Sequence, residues 1–508
     1  MTSTSTPMQQ TTSDAVAGLD ELERRLYALG YAGTTIMFEG ETADPPKAAA
    51  GRGEALATLE ELRHEIICGD GMGRLLDALD GDALDGTHAA EVRVMRRDRA
   101  DAIAVPASEQ AAFTRLTCDA TEVWHRAKPA GDWEAFAPYL DRIVASMRRM
   151  GSLIDPSRDP YDVWLDQFER GTSRAFYDRL FEQVKGCVIP LVAAIRDQGW
   201  QPSRACVEGT FDEEAQWALA RDLMDLEGVD TDALVLARTE HPFTDAVTST
   251  HAFIASHVHA ADVVSNVFSM LHEGGHALYE QGVDPSYDYT CLRGGTSMGM
   301  HEAQSRFFEN VVGRSDAFAG PLLGCMARRF PEQLGRVEAH DFWLAVNRVE
   351  PSLVRTEADE LTYPLHVIVR YEIEQLLFSG EAYAADVPGL WAERYHDYLG
   401  VEVPDNARGA LQDTHWACGS LGYFPTYALG SAFAAQLKDA MVEQGVDFEG
   451  TLAEGRLAPV RDWLRDNVWR FGRSKDSARI IEDACGAPFD ASHYTRYLTE
   501  KFGDIYGL

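Results

Sequence analysis

The sequence predicts a mostly α-helical fold. Apolar residues recur at helical spacing along much of the chain, strand-like runs are scarce, and neither a fixed-period repeat nor a Pro/Gly/Ser-rich linker divides it. Residues 1–14 read as a disordered polar tail rich in Ser and Thr, and 15–508 as one large helical unit. A cleft between two helical lobes is the expected place for a site. Ala55–Ile67, Tyr177–Ile195 (with Pro190 as a break), Leu361–Phe378 and Leu429–Glu443 carry the amphipathic helical pattern. The best strand candidates are Ala233–Ala237 and Thr290–Met300.

Composition narrows the function classes. Apolar residues make up 45% and charged residues 25%, the balance of a soluble globular protein. Against 46 Lys plus Arg stand 81 Asp plus Glu, a formal net charge of −35. That sign argues against nucleic acid or an anionic membrane as a partner. The first residues lack the apolar run of a secretory signal, and no apolar stretch approaches a membrane span. The eight cysteines are scattered, with no C-x-x-C pair, so neither a disulfide framework nor a thiolate metal site is expected. These features together suggest a cytoplasmic protein.

The sharpest motif is His272-Glu273-Gly274-Gly275-His276, an H-E-x-x-H inside an amphipathic stretch from Asp262 to Gln281. On a helix, residues four apart share a face, so both imidazoles can reach one metal while Glu273 handles a water beside it. Each mid-helix glycine costs about 1 kcal/mol relative to Ala, so the pair implies open space or close backbone approach. The metzincin extension fails, because Tyr279 and Gly282 occupy its later Gly and His positions. The best source of a third ligand is Glu302 in His301-Glu302-Ala303-Gln304-Ser305-Arg306, which follows a Gly-rich turn able to bring the chain back antiparallel. Two His and one Glu with an open fourth position is the ligand set of catalytic zinc. The plainer alternative makes Glu302 a surface carboxylate.

With these residues the chain resembles the carboxypeptidase Taq family of metallocarboxypeptidases. HEGGHALYEQG, HEAQSRFFEN, VRTEADELTYPLH (354–366), GALQDTHW (409–416) and GYFPTYALG (422–430) are similar, in order, to that family's blocks, and FEGETADPP (38–46) is a fainter echo. The resemblance implies a helical fold with a deep groove, a homodimer, and one zinc per chain for which Co2+ or Mn2+ can substitute. It implies stepwise removal of C-terminal amino acids from peptides by a zinc-activated water. Carried over by position, His272, His276 and Glu302 are the metal ligands and Glu273 the general base and acid. Arg355 is the candidate grip on the substrate's terminal carboxylate, and His415 and Tyr423 are candidates to steady the oxyanion.

One block departs from the family's pattern. After HPFT (241–244), the place of a usual D-x-R-x-T reads His251-Ala252-Phe253-Ile254-Ala255, so Phe253 stands where Arg is expected. Arg293 is a candidate substitute cation. The plainer alternatives are an ion pair of Arg355 with Glu357, Asp359 or another of the many carboxylates, a core His415 held by Asp413 or a backbone carbonyl, and Tyr423 as packing. Asp359 and Trp416 read as structural, and His257 with His259 as packing rather than a second metal pair. Rival functions are a dipeptidyl carboxypeptidase or oligopeptidase with the same zinc chemistry, and an inactive peptide-binding homologue.

Overall fold

The computed structural model describes residues 12–43, 45–79, 84–239 and 242–508. Most of the 1–14 stretch, together with Asp44 and His241 of two blocks quoted above, lies outside them. The first helix, Thr12–Thr42, begins inside the stretch read as a tail, because Ala15 and Leu19 are buried against Met72, Leu75 and Leu76. It packs with Ala49–Cys68, Asp70–Ala78 and Gly86–Ala104 around that small core. A second, much larger core runs from Leu116 to Tyr506.

The fold is mostly helical, as predicted, and local chemistry explains the helix ends. In Trp133–Ile154, Asp132 accepts a hydrogen bond from the Ala135 N–H at 3.2 Å, and Phe136, Leu140, Ile143, Met147 and Met150 fall on one buried face. Arg174–Gln198 starts at a Ser173 cap and stops at Gly199, whose φ of 74° suits a residue without a Cβ. Pro190 does not break this helix. Val184, Val188, Val192 and Ile195 bury one continuous face across it, and tertiary packing overrides the lost hydrogen bond.

Three strands occur among the described residues: β1 (Leu234–Arg238), β2 (Phe243–Thr248) and β3 (His251–Ser256). β3 is central, parallel to β1 and antiparallel to β2. The first strand candidate is thus close to β1, whereas β2 and β3 were not anticipated. Thr290–Met300 is not a strand but a run of turns entering the helix Met298–Arg306. Its backbone donors go elsewhere: the Cys291 N–H to Glu23, the Gly295 N–H to Glu280 and the Thr296 N–H to the Tyr279 hydroxyl. No helix among the described residues is long and apolar enough to cross a membrane.

Candidate metal centre

The motif helix, Val263–Gly282, opens at Asp262, which accepts a hydrogen bond from the Ser265 N–H at 3.0 Å. Val263, Val267, Met270, Leu271 and Leu278 anchor it in the main core. It lies against the helix Met298–Arg306, and the two glycines mark close approaches. A Cβ on Gly275 would come within 2.5 Å of the Gln304 carbonyl oxygen, and one on Gly274 would overlap the buried Glu227 carboxylate. Beyond Arg306 the second helix widens into a π-helical turn, Phe307–Val312, which carries Glu309.

This packing brings the three sequence-predicted ligands together. Nε2 of His272 and Nε2 of His276 lie 3.8 and 3.9 Å from Oε2 of Glu302, and the donor atoms all fall within 4.8 Å of one another. Each is oriented from behind. Nδ1 of His272 is 2.9 Å from Oε2 of Glu309. Nδ1 of His276 is 2.7 Å from Nδ1 of His301, whose Nε2 is 2.8 Å from Oε1 of Glu280. Glu302 accepts a hydrogen bond from Arg306 Nε at 2.7 Å through its other oxygen.

The carboxylates assign the protons. Glu309 accepts a hydrogen bond from the Nδ1–H of His272, and Glu280 one from the Nε2–H of His301, leaving His301 Nδ1 to accept from the Nδ1–H of His276. Both ligand Nε2 atoms therefore present lone pairs to a carboxylate oxygen. Three acceptors converging with no hydrogen between them fit a divalent metal, and the backing groups match those that orient metal-bound imidazoles.

Glu273 stands beside the ligands with its carboxylate 2.7 Å from the Thr244 hydroxyl on β2, which donates to it. Burial pushes the Glu273 carboxyl above its ordinary value, with His272 and Thr244 pulling the other way.

Arg355 is 8% exposed and donates to Asp413, from Nε at 3.2 Å and Nη2 at 3.0 Å, and from Nη1 to the Tyr363 hydroxyl at 3.1 Å. The ion pair allowed for from the sequence is thus present, and among the carboxylates the partner is Asp413 rather than the two neighbours Glu357 and Asp359. Asp413 also pairs with Arg370, and Asp359 accepts from the Thr362 N–H ahead of the helix Tyr363–Ser379. The Tyr363 ring lies under the Arg306 guanidinium at 3.9 Å, which links Arg355 to the Glu302 side of the site.

His415 meets the Tyr427 hydroxyl at 3.2 Å through Nε2, rather than Asp413 or a carbonyl, and its buried Nδ1 has no partner. Burial holds it near 4, hence neutral at pH 7. Its ring stacks on Tyr423, 5.7 Å between centroids. Burial and then the Glu302 carboxylate push the Tyr423 phenol up to about 12. Trp416 is core, as expected, donating to Glu374 at 2.8 Å.

Phe253 is buried with Phe38 and Val247 and pairs across the sheet with Asp245. Residues alternate faces, and Thr244, one position away from Asp245, points to Glu273. Phe253 therefore faces away from Glu273 and the motif helix, toward the first helix. Arg293 donates to the Ala246 carbonyl of β2 at 2.7 Å. His257 and His259 lie ring to ring at 4.5 Å, and no third ligating atom joins them among the described residues. Sequence reasoning did not give roles to Glu280, His301 or Glu309. For Glu309 a signal was present: Glu302, Arg306 and Glu309 are spaced four and three apart, as on one helical face.

The carboxypeptidase Taq (M32) metallopeptidase model matches residues 18–502. The chain belongs to that family. Carboxypeptidase 1 of Bacillus subtilis is 34% identical over 96% of this chain and 98% of its own length. Thermostable carboxypeptidase 1 of Thermus thermophilus is 34% identical over 97% and 99%. The crystal structure of the M32 carboxypeptidase from Deinococcus radiodurans superposes with a TM-score of 0.94 at 33% identity, over 97% of this chain and 100% of that one. Membership makes this chain a metallocarboxypeptidase, in agreement with the resemblance read from its five blocks.

Proposed function

We propose that the chain removes C-terminal residues from peptides with one zinc ion held by His272, His276 and Glu302, and with Glu273 as general base and then acid. The observation that carries this reading is the convergence of two imidazole Nε2 atoms on a carboxylate oxygen with Glu273 beside them. A bound divalent ion supplies Lewis acidity, polarising the scissile carbonyl and strengthening a water as nucleophile. The imidazole and carboxylate donors suit zinc, with cobalt or manganese able to replace it.

The protein's own groups account for the proton movements. Glu273, oriented by the Thr244 hydroxyl, takes the proton of the attacking water, holds it, and delivers it to the departing amine. Its raised pKa suits both halves of that exchange. Tyr423 remains a protonated donor at working pH and can donate to the carbonyl oxygen as charge develops there. His415 positions Tyr423 by stacking and contributes no positive charge when neutral. Arg355 supplies the carboxylate contact. Asp413 holds two of its nitrogens, so the remaining one, toward Tyr363, is the point of contact. Eight unpaired cysteines are in keeping with a cytoplasmic setting, and the family resemblance supports a homodimer.

Glu273→Gln tests the assignment. It is expected to keep bound metal and the unfolding midpoint while lowering kcat at least about 100-fold. Retention of substantial turnover rules out this role.

A further inference from the structure

A second cluster of ligating groups lies in the N-terminal helices, apart from the metal centre. Asp20 and Glu23 are three residues apart on the helix Thr12–Thr42, and His88 and Glu91 are three apart on Gly86–Ala104, so each pair lies on one helical face. Ligand atoms of Asp20, His88 and Glu91 all fall within 4.8 Å of one another. His88 is oriented as His272 is: Asp85, the cap of its helix, lies 2.7 Å from Nδ1, which leaves Nε2 facing the Asp20 carboxylate at 4.0 Å.

A second observation, independent of this spacing, points to a cation. Glu23 and Glu91 are each 2% exposed, and Oε2 of each has no hydrogen-bond partner. Among the described residues no Lys or Arg lies within ion-pair distance of Asp20, Glu23 or Glu91. Buried carboxylates without a counter-charge are costly, and among the described residues the positive charge acting on both would be that of a protonated His88. The Asp20 side chain is about half exposed, at 49%, and gives a route from solvent.

We propose that Asp20, His88 and Glu91 form a second divalent-cation site, with Glu23 adding negative charge behind it. An imidazole with two carboxylates selects a first-row transition ion such as zinc or manganese over calcium or magnesium. The role is structural. Glu23 accepts the Cys291 N–H at 3.0 Å, and the Cys291 thiol donates to the Glu91 carbonyl at 3.6 Å. An ion there ties both N-terminal helices to the turn that carries Arg293 and leads into the helix of Glu302.

The full chain, stripped with chelator, is titrated with Zn2+ and its bound metal counted by mass spectrometry after gel filtration. Wild type is expected to retain two ions per chain, and Asp20→Asn or His88→Gln one. His276→Gln is expected to lose the other ion, and His88→Gln with His276→Gln both, so failure at either centre is told apart from failure at the other. Glu91→Gln removes a buried unpaired carboxylate, so its metal-free form is expected to melt no lower than wild type while losing the Tm gain from the second equivalent. A single ion in wild type, or two ions in both Asp20→Asn and His88→Gln, overturns the proposal and leaves protonated His88 as the counter-charge.

Discussion

Oε2 of Glu309 lies 2.9 Å from Nδ1 of His272, while Nε2 of the same imidazole faces Glu302. Burial works against the charge of Glu309, but Arg306 and His272 hold its carboxyl down at about 2, so it is ionised at any working pH. A permanent acceptor at Nδ1 fixes the tautomer whose Nε2 lone pair is free for metal.

Glu309→Gln is accordingly expected to weaken metal binding about 10–100-fold while leaving the three ligands in place. Competition with a chromophoric chelator reads this directly. An unchanged dissociation constant would mean that the contact does not orient the imidazole.

Arg355 has two candidate duties, propping Asp413 and holding substrate, and kinetics separate them. A hydrogen bond to a charged group is worth about 1.5–3 kcal/mol, so Arg355→Lys is expected to raise KM about 10–100-fold with kcat less affected. A lowered Tm with KM unchanged would assign Arg355 to the buried ion pair alone.

Acid sensitivity has an identifiable contributor in His366. Its Nδ1 lies 2.9 Å from the Tyr395 hydroxyl, and burial, with Arg370 and Arg355 nearby, pushes the imidazole down to about 3. A folded-state value below the ordinary 6.5 means that the unfolded chain binds the proton first. Its stabilising contribution is full above pH ~6.5 and is lost as pH falls toward ~3, by up to about 1.4 kcal/mol per pH unit. Denaturant midpoints measured across that window should show wild type losing its advantage over His366→Gln as the solution is acidified. A constant difference between the two proteins would remove His366 from the account.

The proposed metal ligands could be picked out in the sequence because one helix carries His272 and His276 four apart, and the next short helix carries Glu302. Local spacing sufficed there. It did not suffice for the groups behind the ligands, since His301 reaches Glu280 only after two helices pack through Gly275. Arg355 lay among several nearby carboxylates, yet its partner is Asp413, 58 positions away. Length does not explain why β2 and β3 were missed, since β1 is shorter than either. In β3, Ala252, Phe253, Ile254 and Ala255 are all buried, so the alternation that marks a half-exposed strand is absent. Phe253 could be recognised as a departure from the family's block, but its burial against Phe38 required the fold.

The central claim is that this site cuts single residues from the C-terminus. A mass-spectrometric time course on an N-terminally blocked peptide of varied sequence, with zinc-loaded protein, tests it most directly. The account predicts a ladder of one-residue losses from the C-terminus that is abolished by chelator and by Glu273→Gln. Release of dipeptides, or cuts inside the peptide, would contradict it.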